Sequence, residues 1–244
     1  MMLYTFSFLA VTTALQLPAE FKKCSRSDPK INECLKSAIE RAYQVMGTGI
    51  KEFKLESTQP ITVANMTIGE GTGVVRVVQN YQNWQLFNIP SAEVVDLSSL
   101  VTDHQFNINV TYILKETYVT SHYKLNGRIL LLPIVGEGEC TIQLHNLKVP
   151  TRQIGEVSER NGVKYVEITS LKVQLIPDKV EFDFKNLFNG DPKLGPEMNK
   201  ILNENWKEIF EDVKYAYEDA LGAVFKNVGN LIFRKVPYDD LFLP

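Results

Sequence analysis

The side chains that most often perform catalysis are scattered through this sequence. His104, His122 and His145 lie far apart, and the zinc-protease motif HExxH, the serine-hydrolase motif GxSxG and the kinase motif DFG do not occur. A nucleophile, a base and a group that orients the base can therefore not be assigned from spacing. The sequence predicts no enzymatic activity, no cofactor and no metal site.

The glycine-rich segment at residues 69–73, GEGTG, resembles a phosphate-binding loop only weakly. Such loops hold phosphate at the N-terminus of a helix, whereas the residues that follow this one have the composition of a strand. We interpret the segment as a hairpin turn. Four acidic residues recur at helical spacing near the C-terminus and are interpreted as the solvated side of a helix: Glu204, Glu208, Glu211 and Asp212.

The three cysteines predict one disulfide and one free thiol. Cys24 and Cys34 are ten residues apart near the start of the chain, and in a secreted protein such a pair is expected to be bonded. In the chain-entropy model a loop this short contributes roughly 2–3 kcal/mol to stability. A zinc site is the alternative, but no histidine lies nearby to complete one. Cys140 falls on the apolar side of an alternating segment, so we expect it to be buried and free.

The composition is that of a globular protein without the charge signature of a nucleic-acid partner. The 244 residues carry a net charge of −3, with 44% apolar and 23% charged residues, so we expect neither nucleic-acid binding nor stable membrane insertion. Residues 3–15 form an apolar segment of signal-peptide length; a buried N-terminal strand is the alternative. We expect residues 1–16 to be a signal peptide, residues 17–244 to form one domain, and the protein to be secreted.

The middle of the chain alternates between apolar and polar residues. The clearest run is 106–114, and similar runs occur at 119–125, 140–144, 171–175 and 180–184. Alternation with a period of two predicts an antiparallel sheet with one apolar face. Turn signals punctuate it at three places: Asn126-Gly127, Asn161-Gly162 and Pro177-Asp178.

The C-terminal segment predicts one long helix. It begins at Gly195-Pro196, because proline is favoured at the first helical position. Apolar residues then recur at steps of three or four: Leu202, Trp206, Ile209, Val213, Tyr217, Ala220, Val224, Val228 and Leu231. A second row widens this stripe to more than half of the circumference: Phe210, Leu221, Phe225 and Ile232. Such a helix should be wrapped by other elements, should be roughly 50 Å long, and is weakest at Gly222 and Gly229.

These elements together predict an α+β fold. A shorter first helix is expected between Asp28-Pro29 and Gly47. The simplest way to bury both apolar surfaces is a strongly curved antiparallel sheet wrapped around the long C-terminal helix, although the pattern alone does not specify the curvature.

Three features of the C-terminal region carry a family resemblance: the run NLFNGDPKLGPEMNKILNENW at residues 186–206, the long apolar helix, and VPYDDLF at residues 236–242. The chain resembles the insect takeout family, which is related to the haemolymph juvenile hormone binding proteins. The resemblance implies the super-roll fold, circadian control and an internal tunnel for juvenile hormones, fatty acids or similar long apolar molecules. Only Cys140 remains for the second disulfide typical of the hormone-binding branch, so the resemblance is closer to the takeout side.

The predicted tunnel has walls from three elements. The helix contributes Trp206, Phe210, Val213, Tyr217, Ala220 and Val224. The sheet contributes Val110, Tyr112, Leu114, Tyr123, Leu131 and Ile142. The resemblance implies that the first helix closes one end through Ile39, Ala42 and Met46. The buried hydroxyls of Tyr112, Tyr123 and Tyr217 each need a partner, and either a backbone carbonyl or the polar end of a ligand could supply it.

The resulting hypothesis is a secreted, monomeric carrier that binds one small hydrophobic ligand and performs no chemistry. A secreted lipid hydrolase and a ligand-free interaction module are the alternatives, and a receptor is left open. Asn65 and Asn109 each begin an N-x-[ST] sequon. Both oppose apolar neighbours, so we expect glycans on the outer face of the sheet.

Overall fold

The computed structural model describes residues 14–244. The predicted signal peptide, residues 1–16, therefore lies almost entirely outside the described residues. The strands are β1 Cys24–Ser25, β2 Ile61–Ile68, β3 Val75–Phe87, β4 Glu93–Val101, β5 Phe106–Ile129, β6 Leu132–Arg160, β7 Val163–Val173, β8 Lys179–Phe184 and β9 Phe242–Leu243. The helices are α1 Ile31–Met46, α2 Leu194–Glu204, α3 Trp206–Phe233 and α4 Tyr238–Leu241.

Seven strands form one antiparallel sheet around a very long hairpin, β5–β6. The path of the sheet is β2-β3-β5-β6-β7, with β4 also paired to β5 and β8 also paired to β6. A straight strand with the 29 residues of β6 would be about 95 Å long, and here the ribbon is curled into a half-barrel that holds the C-terminal helix. The predicted α+β super-roll is therefore confirmed.

The β5–β6 turn corrects two predictions from the sequence. Asn126-Gly127 was expected to be a turn, but both residues lie within β5 and pair with β3 and β6. The chain reverses instead at Leu130 and Leu131, where Leu130 has a left-handed φ of 56°. Leu131 was expected to face inward, yet it is 92% exposed. The alternation of buried and exposed residues along β5, which buries Ile129, ends at the turn. The side chain of Leu131 therefore projects from the tip of the turn.

The C-terminal region forms two helices where one was predicted. The chain leaves helical geometry at Asn205, with φ −110° and ψ 20°, and the Asn205 amide donates to the Ile201 carbonyl that ends α2. α3 runs unbroken through Gly222 and Gly229. At Gly222 an added Cβ would lie 2.6 Å from the carbonyl oxygen of Leu171 on β7. This glycine therefore permits close packing of helix against strand.

The first strand, β1, and the C-terminal strand, β9, are held together at one place. Cys24 and Cys34 form the predicted disulfide, with their Cα atoms 5.9 Å apart. β1 pairs in parallel with β9, so that Cys24 lies opposite Phe242. Cys140 is free and buried, as predicted. Burial raises the pKa of its thiol to about 12.

Polar side chains of the helices bind the backbone of the strands or of the segments beside them, and we call these five the docking residues: Asn199 and Asn203 on α2, and Asp212, Glu218 and Asn230 on α3. Each asparagine both accepts from and donates to the backbone of a single strand residue. These strand residues lie on β7 and β8, at edges of the sheet. The docking residues thus satisfy backbone groups that an open edge would leave unpaired.

Asp212 was expected to be solvated, and the structure gives it a partner. Its two carboxylate oxygens accept from the backbone N–H groups of Gly73 and Val75, both at 2.7 Å. A Cβ at Gly71 would lie 2.2 Å from the same carboxylate. The glycine-rich segment is therefore a turn that holds an anion of the protein's own helix.

Candidate functional site

An apolar space lies between α3 and the concave face of the sheet. It consists of two adjoining cavities: the first has a volume of about 130 Å³ and the second a volume of about 180 Å³. Five residues border both cavities: Tyr43, Tyr112, Gln153, Leu171 and Phe225. The combined space reaches the lower end of typical ligand-pocket volumes, about 300 Å³. It follows α3 from Ile209 to Phe233, a rise of roughly 35 Å, so it is elongated.

The helix wall takes residues from both rows of the predicted stripe. Phe210, Val213 and Tyr217 border the first cavity, and Leu221 and Phe225 follow Tyr217 along this wall at steps of four. The predicted residues Trp206, Ala220 and Val224 are half-buried and border neither cavity. The sequence contained the correct signal, because Leu221 and Phe225 belong to the second apolar row. Beyond Tyr217 the prediction instead used residues of the first row, Ala220 and Val224, and there this row turns toward the flank of the helix.

The sheet wall includes three of the six residues predicted from strand alternation. Tyr112, Leu114 and Ile142 border the first cavity. Val110 and Tyr123 are buried but border neither cavity. Leu131 lies outside on the turn.

β3 supplies wall residues that the sequence analysis missed: Val75, Val77, Gln79 and Trp84. The burial of β3 alternates with a period of two as far as Tyr81, so the same signal was present in this strand.

The first helix borders the second cavity. Ile39, Ala42 and Met46 all lie on the wall of this cavity. Tyr43 borders both cavities and packs edge-on against Tyr112, with ring centroids 5.4 Å apart. These two rings and Phe225 lie where the two cavities adjoin.

A cluster of three polar side chains interrupts the apolar wall. The hydroxyls of Tyr81 and Tyr217 lie 2.9 and 2.8 Å from Oε1 of Gln79, and 2.9 Å from each other. Gln79 and Tyr217 border the first cavity, with Tyr81 buried behind them. Burial raises the pKa of both phenols, so they are neutral at physiological pH.

The buried tyrosines thus differ in their partners. Tyr123 donates to the backbone carbonyl of Lys185 at 2.6 Å, which is the simpler of the two expected arrangements. The hydroxyl of Tyr217 is hydrogen-bonded only to side chains, those of Gln79 and Tyr81. The indole nitrogen of Trp84, also on this wall, is buried without a hydrogen-bond partner among residues 14–244.

The titratable groups that could perform catalysis lie elsewhere. His122 and His145 lie on the outer face, beside Glu139 and Glu116 respectively. Within residues 14–244, no cluster of three His, Cys, Asp or Glu side chains is suited to hold a metal ion. In the same range, none of the helices combines the length and apolar character needed to span a bilayer.

Comparisons with known proteins agree with this geometry. The model of the haemolymph juvenile hormone binding protein family matches residues 3–243. The circadian clock-controlled protein daywake of Drosophila melanogaster is 26% identical over 231 residues, covering 92% of this chain and 88% of daywake. Daywake of Drosophila yakuba matches to the same extent. The crystal structure of Takeout 1 from Epiphyas postvittana superimposes with a TM-score of 0.80 at 24% identity, covering 91% of this chain and all of that one.

Proposed function

The chain belongs to the haemolymph juvenile hormone binding protein family, whose model spans nearly all of it, and from this premise we propose that it is a secreted carrier of one elongated hydrophobic ligand. Members of this family bind hydrophobic ligands. The proposed ligand is a juvenile hormone-like terpenoid, a fatty acid or a similar lipid. The protein acts as a monomer of one domain, residues 17–244, and performs no chemistry on its cargo.

The elongated apolar space along α3 is the observation that carries this proposal. Its wall is formed almost entirely by apolar side chains, so binding would be driven by burial of the ligand's surface, at about 25 cal/mol per Å². The sheet curls around this space, which would shield part of such a ligand from water. Transport through an aqueous fluid requires both properties.

The test is to identify what the secreted protein carries. The full chain is expressed in insect cells, collected from the medium and examined by native mass spectrometry, and the bound material is extracted with organic solvent. We expect a one-to-one complex with a lipid-sized adduct, and stabilisation of the delipidated protein by added lipid. A protein that stays in the cells, or that no lipid class stabilises, contradicts the proposal. Turnover of generic esters would favour a hydrolase instead.

The proposed glycans are tested on the same secreted material. Asn65 on β2 and Asn109 on β5 are both exposed, which supports modification at either position. Treatment with peptide-N-glycosidase should lower the mass of the protein. Replacing Asn109 by Gln should remove one glycan, and an unchanged mass would exclude that site.

A further inference from the structure

We propose that the side-chain amide of Gln79 is the polar recognition group of the cavity, and that it selects lipids with a neutral hydrogen-bond acceptor, such as an ester or ketone, over free fatty acids. This inference rests on the proposed carrier function. It adds a chemical class and a specific atom, Nε2 of Gln79, as the donor.

The hydrogen bonds around Gln79 leave its amide nitrogen free. Oε1 accepts hydrogen bonds from two tyrosine hydroxyls, that of Tyr81 at 2.9 Å and that of Tyr217 at 2.8 Å. Nε2 has no hydrogen-bond partner among residues 14–244, yet it is not sealed in protein as the indole nitrogen of Trp84 is. Since Gln79 is only 9% exposed and borders the first cavity, the two N–H groups of Nε2 face that space.

The same bonds hold the amide in place before a ligand arrives. Tyr81 is 1% exposed, and its hydroxyl also contacts that of Tyr217 at 2.9 Å. A donor that is already fixed loses little side-chain entropy when it binds an acceptor. Gln82 lies on the same strand as Gln79, is exposed and borders neither cavity. It provides a matched control.

The charge of the wall argues against a carboxylate. Among the described residues that border the first cavity, none is lysine, arginine or histidine, and the neighbouring phenols are neutral. An ionised carboxylate would be buried there without a counter-ion, which is costly. A carbonyl oxygen incurs a much smaller desolvation cost and can accept from Nε2.

The experiment compares four probes with the same chain length: methyl palmitate, palmitic acid, hexadecanol and hexadecane. Each competes with a fluorescent naphthylphenylamine probe for the delipidated full-length chain. Gln79→Met keeps the length of the side chain and removes both donors. We expect it to weaken binding of the ester about tenfold relative to hexadecane, the value of one hydrogen bond, while Gln82→Met leaves that ratio unchanged. Palmitic acid should bind the wild type less tightly as pH rises and the acid ionises.

A second measurement needs no variant. The carbonyl stretch of isotopically labelled methyl palmitate bound to the wild type should shift to lower wavenumber than in alkane, because the oxygen accepts a hydrogen bond. A carbonyl stretch at its alkane position overturns the proposal. So does a loss of ester preference in Gln82→Met, tighter binding of ionised palmitate than of its ester, or a preference for hexadecanol. If none of the four probes binds, the carrier function itself fails.

Discussion

Two sets of side chains on α3 face the sheet, and they make opposite kinds of contact. The docking residues Asp212, Glu218 and Asn230 bind strand backbone directly, with oxygen–nitrogen distances of 2.7–2.8 Å. The wall residues, such as Val213 and Leu221, leave a space between helix and sheet. The helix is therefore held by directional bonds along its flanks, while its central face need not be packed to full density. This division lets one element both close the fold and line a cavity.

The largest expected effect is a loss of stability at high pH, which arises from buried groups in the interior and not from the docking residues. Burial raises the pKa of Cys140 and of Tyr123 to about 12, and raises those of Tyr81, Tyr112 and Tyr217 as well. Because these pKa values are higher in the folded state, the protonated groups contribute stability that is complete below the unfolded values, 9.0 for the thiol and 10.0 for the phenols. That stability is lost as the pH rises toward about 12.

Denaturant unfolding followed by circular dichroism should therefore show stability falling steeply from about pH 9 upward, with cooperative unfolding as tyrosinate absorbance appears. Cys140→Ala should remove the earliest part of the fall. Tyrosines that all ionise near their ordinary pKa while the far-ultraviolet spectrum stays native would show that the cavity side is open to solvent.

The next effect concerns the flank of the helix. Asn230 is 6% exposed, and its side-chain amide accepts from the N–H of Ile168 and donates to the carbonyl of Ile168. The side chain thus makes the hydrogen bonds that a neighbouring strand would otherwise provide. Asn230→Ala leaves two buried backbone groups unpaired, so we expect a loss of about 2–4 kcal/mol in the free energy of unfolding. Asn227→Ala, at an exposed position of the same helix, should change stability by less than about 0.5 kcal/mol. Equal effects of the two variants would mean that the docking bond contributes nothing.

The sequence predicted the wall better than the flank, and the physical reason is specific. Periodicity reports which positions are buried, so it placed Tyr112, Ile142, Phe210 and Val213 on the inner side. It does not report partners: Asp212 has the same pattern as a solvated carboxylate, although it binds a turn more than a hundred residues earlier. Gln79 was missed for a related reason, since a polar residue at an inward position breaks the apolar pattern.

A smaller effect tests how closely the helix approaches β7. At Gly222 a Cβ would meet the Leu171 carbonyl oxygen at 2.6 Å, whereas at Gly229 it would meet the end of the flexible Ile168 side chain at 2.8 Å. Both changes to Ala gain up to about 1 kcal/mol of helix propensity, which cancels in the comparison. Gly222→Ala should therefore be less stable than Gly229→Ala by about 1–3 kcal/mol, the usual cost of overpacking. Chemical denaturation of the pair measures the difference, and identical midpoints would refute the close contact.

The smallest effect on stability should accompany the largest effect on binding. Leu221 borders the first cavity and Ala220, its neighbour on α3, borders neither cavity. A tryptophan at position 221 would extend into empty space, so Leu221→Trp should unfold within about 1 kcal/mol of the wild type, below the usual range for an overpacked core. It should also lose the stabilisation that a lipid provides, about 2.7 kcal/mol at a hundredfold excess over the dissociation constant.

Ala220→Trp is the matched control, because it adds a larger side chain one position away on the half-buried flank of the helix. This variant should keep the ligand-induced stabilisation, whatever it loses in intrinsic stability. The two variants therefore distinguish a space that a ligand fills from a core that is merely loosely packed. If Leu221→Trp is strongly destabilised and Ala220→Trp is not, the region beside Leu221 is already full. The central face of α3 would then be packed as densely as its flanks, and the contrast between them would disappear.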